Sequence, residues 1–382
     1  MGKRVLFYVQ HLLGIGHQRR AATLTRALIG EGFEVLFVSG GHDVPNLAID
    51  GARFLQLPPT RATDRYFKVL VDENDVLVDD AWKASRRDKL IAAFADFRPD
   101  VLLFEMFPFG RRQMRFELLP LLDAARARAP RPLVVSSVRD ILVGQDKPGR
   151  NDEMLDLFER HFDRALVHGD PNFIPFDRTF PHAARIRDRF DYTGYVVDET
   201  GRRGRPGDPG WGEVIVSAGG GAVGENLLST AIAARPLTVL REATWRILVG
   251  VHVEAAVFDR LRGAGGSGVI VERARGDFPT LLMNARLSIS QGGYNTLMET
   301  MRARLPAVAV PYAGGVETEQ TLRTRLLAEK GALALLPEDD LSPEGLAAAV
   351  EKALRLEQPG AVALDTSGAA TSATLLRRLV GA

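Results

Sequence analysis

A short apolar run, a glycine-bearing turn and an amphipathic stretch follow one another at the start of this chain, and the same order restarts after residue 213. This repetition constrains the fold more than any other feature. Residues 5–9 are strand formers, Gly14-Ile15-Gly16 breaks the run, and from His17 onward Ala21, Leu24, Ala27 and Leu28 share one helical face. Gly30 and Gly32 end that helix, and residues 33–38 read as the next strand. Further strands are expected at 101–104, 133–135, 165–167 and 191–196, with helices at 114–128 and 151–162. After the break come strands at 214–216, 245–249, 269–271, 287–289, 307–310 and 332–335. Helices are expected between them and at 371–380.

Between the two series lies Asp198-Glu199-Thr200-Gly201-Arg202-Arg203-Gly204-Arg205-Pro206-Gly207-Asp208-Pro209-Gly210, nearly devoid of apolar side chains. It reads as a linker. Strand–helix alternation implies parallel sheets covered by helices. The expectation is therefore α/β: two doubly wound Rossmann-like domains facing across a cleft, 1–197 and 213–365, joined by 198–212. The segment 366–382 is placed to cross back to the first domain. Ligands of such sheets sit beyond the carboxyl ends of the strands.

Composition narrows the chemistry. Lys and Arg number 49 against 48 Asp and Glu in 382 residues, so no global charge favours nucleic acid. The absence of cysteine excludes disulfides, thiolate metal sites and cysteine nucleophiles. Gln10 and His11 end the first apolar run before a signal-peptide core, and no run of about 18–20 apolar residues could span a membrane. A cytoplasmic protein is expected.

Three loops can carry function. In Gly14-Ile15-Gly16-His17-Gln18-Arg19-Arg20, small residues allow close approach to a helix start, whose dipole favours a neutral His17 able to take a proton. Ser217-Ala218-Gly219-Gly220-Gly221-Ala222-Val223-Gly224 departs from both the dinucleotide and the P-loop patterns, yet its N–H groups can nest an anion. In Ser290-Gln291-Gly292-Gly293-Tyr294-Asn295-Thr296-Leu297-Met298-Glu299, the glycines can meet a diphosphate and Glu299 a ribose. Each also reads, taken alone, as an ordinary strand–helix turn.

Together with Pro311 and the Glu319-Gln320 pair, these segments resemble MurG-like GT-B glycosyltransferases of family 28. The resemblance covers both halves in order and is stronger in the second. It implies a metal-independent, inverting transferase using a nucleotide sugar, UDP as the nucleotide, UDP-GlcNAc as the first donor to try, and no cofactor. By this resemblance the diphosphate meets Gly292 and Gly293, aided by Gly16, Ser217, Gly219, Gly220, Gly221, Ser290 and Asn295. The ribose falls to Glu299, the sugar to Glu319 and Gln320, and the base to backbone between Arg273 and Phe278. His17 is the expected catalytic base, with Glu105 and Asp140 in reserve.

The first loop departs from the family pattern: Leu12-Leu13 stand where glycines belong. Its Gly-His-x-x-Arg also resembles PseG-like sugar-nucleotide hydrolases, so hydrolysis is the alternative. An inactive sugar-nucleotide-binding scaffold is another. For the unidentified hydroxyl acceptor, Arg20, Arg111 and Arg112 are the candidate contacts. Phe107 and Phe109 beside them suggest an apolar platform and leave open a resting place on the inner face of a membrane. Acidic runs at 72–75, 79–80 and 338–340 read as solvated faces, not metal ligands.

Overall fold

The computed structural model describes residues 2–12, 14–44, 47–64, 69–142, 149–219, 224–251, 253–312, 319–357 and 364–381. It divides into two compact units, Met1–Val196 with Asp365–Ala382, and Val197–Leu364.

In the first unit, seven strands form one parallel sheet: β1 (Arg4–Val9), β2 (Glu34–Ser39), β3 (Arg53–Gln56), β6 (Val101–Glu105), β7 (Leu133–Arg139), β8 (Arg164–His168) and β9 (Phe190–Tyr192). Its order is β3-β2-β1-β6-β7-β8-β9, while β4 (Arg61–Ala62) and β5 (Leu70–Val71) make a small antiparallel pair. The helices are α1 (Gly16–Gly30), α2 (Asp80–Phe97), α3 (Arg115–Ala127) and α4 (Arg150–His161).

Alternation along β1 builds two cores. Val5, Phe7 and Val9 join Ala21, Leu24 and Leu28 of α1, whereas Leu6 and Tyr8 join Leu90, Phe94, Leu118 and Phe158 of α2, α3 and α4. The final helix, α11 (Gly368–Leu379), adds Ala373 and Leu376 to the α1 core. It is tied in by Gly368 N–H donating to Tyr195 O at 3.0 Å.

The second unit holds β10 (Val214–Ser217), β11 (Trp245–Val249), β12 (Val269–Arg273), β13 (Leu287–Ser290), β14 (Ala307–Ala309) and β15 (Ala334–Leu335). All pair in parallel, in the order β12-β11-β10-β13-β14-β15. Its helices are α5 (Glu225–Ala234), α6 (Ala255–Ala264), α7 (Phe278–Asn284), α8 (Tyr294–Ala303), α9 (Glu319–Glu329) and α10 (Pro343–Leu354). Val214 and Val216 pack with Leu227, Leu228, Leu346 and Val350 on one face, and Ile215 with Phe278, Leu281 and Leu282 on the other. Both sheets are Rossmann-like, and each reverses strand order beside its first strand.

Residues 198–212 lie along α7 within the second unit. The Gly204 N–H donates to Asn284 Oδ1 at 2.7 Å and the Gly212 N–H to Asn284 O at 3.0 Å. No helix among the described residues is long and apolar enough to cross a membrane.

Candidate functional site

Both reversals of strand order carry a loop singled out by sequence. In the first unit the crevice lies between the ends of β1 and β6. The loop after β1 delivers His17 in the first turn of α1, whose start no side chain caps. β6 ends on Glu105, and the parallel register sets Glu105 opposite Ser137 of β7. The glycine-bearing turn thus brings a histidine from one strand end onto a carboxylate from the next.

His17 Nδ1 stands 2.8 Å from Glu105 Oε1. A carboxylate only accepts, so Nδ1 carries the proton and Nε2 the lone pair. The Arg20 guanidinium also donates to Glu105 Oε1, and Ser137 Oγ to Glu105 Oε2 at 2.9 Å. Glu105 is fully buried, while the His17 side chain keeps 18% of its exposure. Burial, then the Arg111, Arg139 and Arg20 guanidiniums and His11, hold the imidazole well below its usual range. A neutral, partly exposed ring with its second nitrogen fixed to a carboxylate is the arrangement a general base needs.

Other expected contacts of this half fall differently. Arg20, expected at an acceptor, is 3% exposed and paired with Glu105, so it orders the carboxylate. Arg111 takes a left-handed backbone, φ 61°, and its Nε donates to Gln10 O at 2.5 Å. Burial, with Arg139 and Arg20 nearby, lowers its guanidinium to about 10. Arg112 points outward and lies 3.5 Å from Glu153. Asp140 is fully buried and accepts from the Tyr195 hydroxyl at 2.6 Å. Phe107 and Phe109 form no platform: both belong to the core, against Phe104, Phe158, Phe162, Phe176 and Phe180. Ser137 was not expected at all, since a serine inside a strand carries no motif and only the register reveals it.

In the second unit the reversal lies between β10 and β13, whose terminal residues Ser217 and Ser290 are register partners. Each hydroxyl accepts from its own loop, Ser217 Oγ from Gly219 N at 3.2 Å and Ser290 Oγ from Gly292 N at 3.4 Å. Helices α5 and α8 then start on Gly224 and Gly293 without a side-chain cap. Gly16 opens α1 in the first unit. Gly220 and Gly221 lie outside the described residues. Two adjacent uncapped helix starts favour an anion.

Gly292 has φ +75°, and a Cβ there would come within 2.7 Å of Thr324 Oγ1, whereas nothing lies within 4 Å of a Cβ on Gly293. Gly292→Ala is therefore expected to destabilise the second unit by about 1–2 kcal/mol or more, read as a lower melting temperature. Gly293→Ala should leave that temperature unchanged. Asn295 and Glu299 are both half-buried on α8.

The expected sugar and base contacts are engaged within the protein. Glu319 is 3% exposed, and its Oε1 accepts from the fully buried Arg323 at 2.7 Å. Arg323 in turn lies over the Tyr294 ring, 5.0 Å from its centre. Gln320 Oε1 accepts from Tyr312 N at 3.2 Å. Arg273 Nη1 donates to Gly250 O and Val253 O, and its guanidinium lies 4.4 Å from the Phe258 ring centre. The Phe278 side chain is core, while Arg275 of the same loop pairs with Asp277 at 2.7 Å. Among the described residues no three His, Asp or Glu side chains gather as metal ligands.

Comparisons with known proteins agree with the two Rossmann-like sheets. Residues 265–372 match the model of the glycosyltransferase family 28 C-terminal domain. Over 147 residues the chain is 29% identical to the UDP-N-acetylglucosamine--N-acetylmuramyl-(pentapeptide) pyrophosphoryl-undecaprenol N-acetylglucosamine transferase of Granulibacter bethesdensis, covering 38% of each chain. That match thus spans well under half of the relative's length. Among solved structures, the calicheamicin glycosyltransferase CalG4 superposes with a TM-score of 0.64 at 18% identity, covering 100% of this chain and 99% of that one. MurG of Acinetobacter baumannii gives 0.61 at 15% identity, covering 98% and 99%. The fold is that of GT-B glycosyltransferases, and residues 265–372 are similar to the C-terminal domain of glycosyltransferase family 28.

Proposed function

We propose that this protein is a metal-independent, inverting glycosyltransferase that moves a sugar from a nucleotide diphosphate to a hydroxyl acceptor. The observation that carries the reading is the His17–Glu105 pair at the crevice of the first sheet, with Nε2 of a neutral imidazole left unprotonated. His17 Nε2 takes the acceptor proton as the oxygen attacks the anomeric carbon, and Glu105 offsets the charge that develops on the ring. The diphosphate leaves the sugar facing the N–H groups at the starts of α5 and α8, a preorganised role that needs no metal.

UDP is the proposed nucleotide and UDP-GlcNAc the proposed donor, supported by the transferase activity for which the Granulibacter relative is named. Glu299 is the proposed ribose contact. It stands five residues beyond the first residue of α8, roughly 7.5 Å along the axis at about 1.5 Å per residue. The acceptor is a molecule with a free hydroxyl, and contact of the protein with a membrane surface belongs to this proposal.

Calorimetric titration with UDP and UDP-GlcNAc tests the donor half. Glu299→Ala is expected to weaken both by about tenfold or more, the loss of hydrogen bonds to a charged acceptor. Gly293→Ala is expected to weaken them too, because its methyl stands where the diphosphate approaches. Unchanged affinity in both variants would remove the diphosphate and ribose assignments.

A further inference from the structure

We propose that Ser137, His168 and Thr193 are positioning residues that form a one-way chain of hydrogen bonds, ordering the Glu105 carboxylate and thereby fixing His17 with its proton on Nδ1. The chain's effect on turnover rests on the reading of His17 as the base; its proton order does not.

Strands β6, β7 and β8 are neighbours, and Glu105, Ser137, His168 and Thr193 are all fully buried. Ser137 Oγ lies 2.9 Å from Glu105 Oε2 and 2.8 Å from His168 Nε2. Glu105, as a carboxylate, can only accept, so the single proton of Ser137 goes to Oε2. Ser137 Oγ can then only accept from His168, which places a proton on Nε2. In a neutral ring Nδ1 is left as the acceptor, and Thr193 Oγ1 donates to it across 2.9 Å.

The rival acceptors of the Thr193 proton, Gly194 O at 3.1 Å and Val167 O at 3.5 Å, are farther away. Burial, with Arg20 near, pushes the His168 ring down to about 3, against the opposing pull of Glu105, so the ring stays neutral. Every proton from Thr193 to Glu105 therefore points the same way. At the other end Glu105 Oε1 receives the His17 Nδ1 proton and the Arg20 guanidinium. Arg20 also approaches His17 Nδ1 at 3.4 Å, but the 2.8 Å contact to an acceptor decides the tautomer. A buried chain so polarised holds the carboxylate in one orientation.

Histidine 15N–1H long-range correlation spectra of the full chain test the proton order directly, with His168→Gln to assign the signals. The expected result is His168 as the neutral Nε2–H form from pH 5 to 8. An Nδ1–H form, or titration in that range, would overturn the chain.

Kinetics test its role. Ser137→Ala is expected to lower kcat roughly tenfold at unchanged donor KM, for one lost hydrogen bond to a charged group. The carboxylate, missing a donor, then stabilises the imidazolium more, so the acidic limb of the pH profile moves to higher pH. Ser137→Thr, which keeps the hydroxyl, should restore most of the rate. An unchanged kcat and pH limb in Ser137→Ala would overturn the positioning role. Full activity of His17→Ala would instead overturn the base, leaving the spectra to judge the chain.

Discussion

His17→Ala is expected to lower kcat by about 10²–10⁴-fold, the usual contribution of a positioned general base, while donor affinity stays as it was. The residue stands on the first sheet's crevice, and the donor contacts are proposed for the second unit, so proton removal and donor binding separate cleanly. The pH profile adds a second constraint. His17 must be neutral to act, and its imidazole is held well below the usual 6.5 by burial and then by the surrounding guanidiniums. Activity is therefore retained as pH falls through 6.5 and is lost only at lower pH, when the ring gains its proton. Steady-state rates from pH 5 to 8 check this. An acidic limb centred at or above 6.5 would show that burial and the cations around His17 do not act as described.

Glu117→Ala carries the largest expected loss of stability, about 3–5 kcal/mol, because it leaves a buried arginine without its counter-charge. Arg86 and Glu117 are both fully buried, joined by Arg86 Nε donating to Glu117 Oε2 at 2.6 Å. The Arg86 guanidinium also donates to Gly40 O at 2.8 Å, to Pro58 O and to Gln10 Oε1 at 2.6 Å. Tyr8 donates its hydroxyl proton to Glu117. One ion pair thus ties together the chain leaving β1, β2 and β3, including the loop that leads to His17. Removing the carboxylate should lower the melting transition of the first unit on the order of 10 °C, at roughly 2–4 °C per kcal/mol for a unit of this size. Arg86→Met combined with Glu117→Leu should recover much of that loss, since a desolvated pair contributes little beyond a packed apolar one. A shift near zero in Glu117→Ala would mean that Arg86 finds water or another partner.

The same arginine explains what the sequence hid. Helix α2 was not legible because its inward face interleaves Arg86 with Leu90, Phe94 and Phe97, so the apolar stripe is broken by a charge whose partner lies 31 residues away. Asp79, read as part of a solvated acidic run, is exposed and also caps α2 by accepting from Trp82 N at 2.7 Å. Strand β3 was equally obscure: it is four residues long, Phe54 is half exposed at the sheet edge, and Arg53 and Gln56 are polar. The inner strands were readable because burial on both faces leaves unbroken apolar runs. Their positions and the loops after β1, β10 and β13 were legible, whereas the order in which the strands pair, and with it both reversals, came only from the structure.

Side-chain roles were less legible than loop positions. Glu105 and His17 could each be named from the strand-end rule, but their pairing depends on β1 and β6 being neighbours, which spacing alone does not give. Arg20 and Glu319 looked like ligand contacts because charged residues near a helix start usually face solvent. In the structure each is nearly fully buried against an opposite charge.

The central claim is that His17 activates an acceptor hydroxyl against a nucleotide sugar. Proton NMR of UDP-GlcNAc with the protein, recorded with and without a mixture of hydroxyl-bearing acceptors, tests it most directly. The expected result is UDP release that depends on acceptor, a β-linked product from the α-linked donor, and loss of both in His17→Ala. Free N-acetylglucosamine formed at the same rate with no acceptor, or release unaffected by His17→Ala, would contradict it.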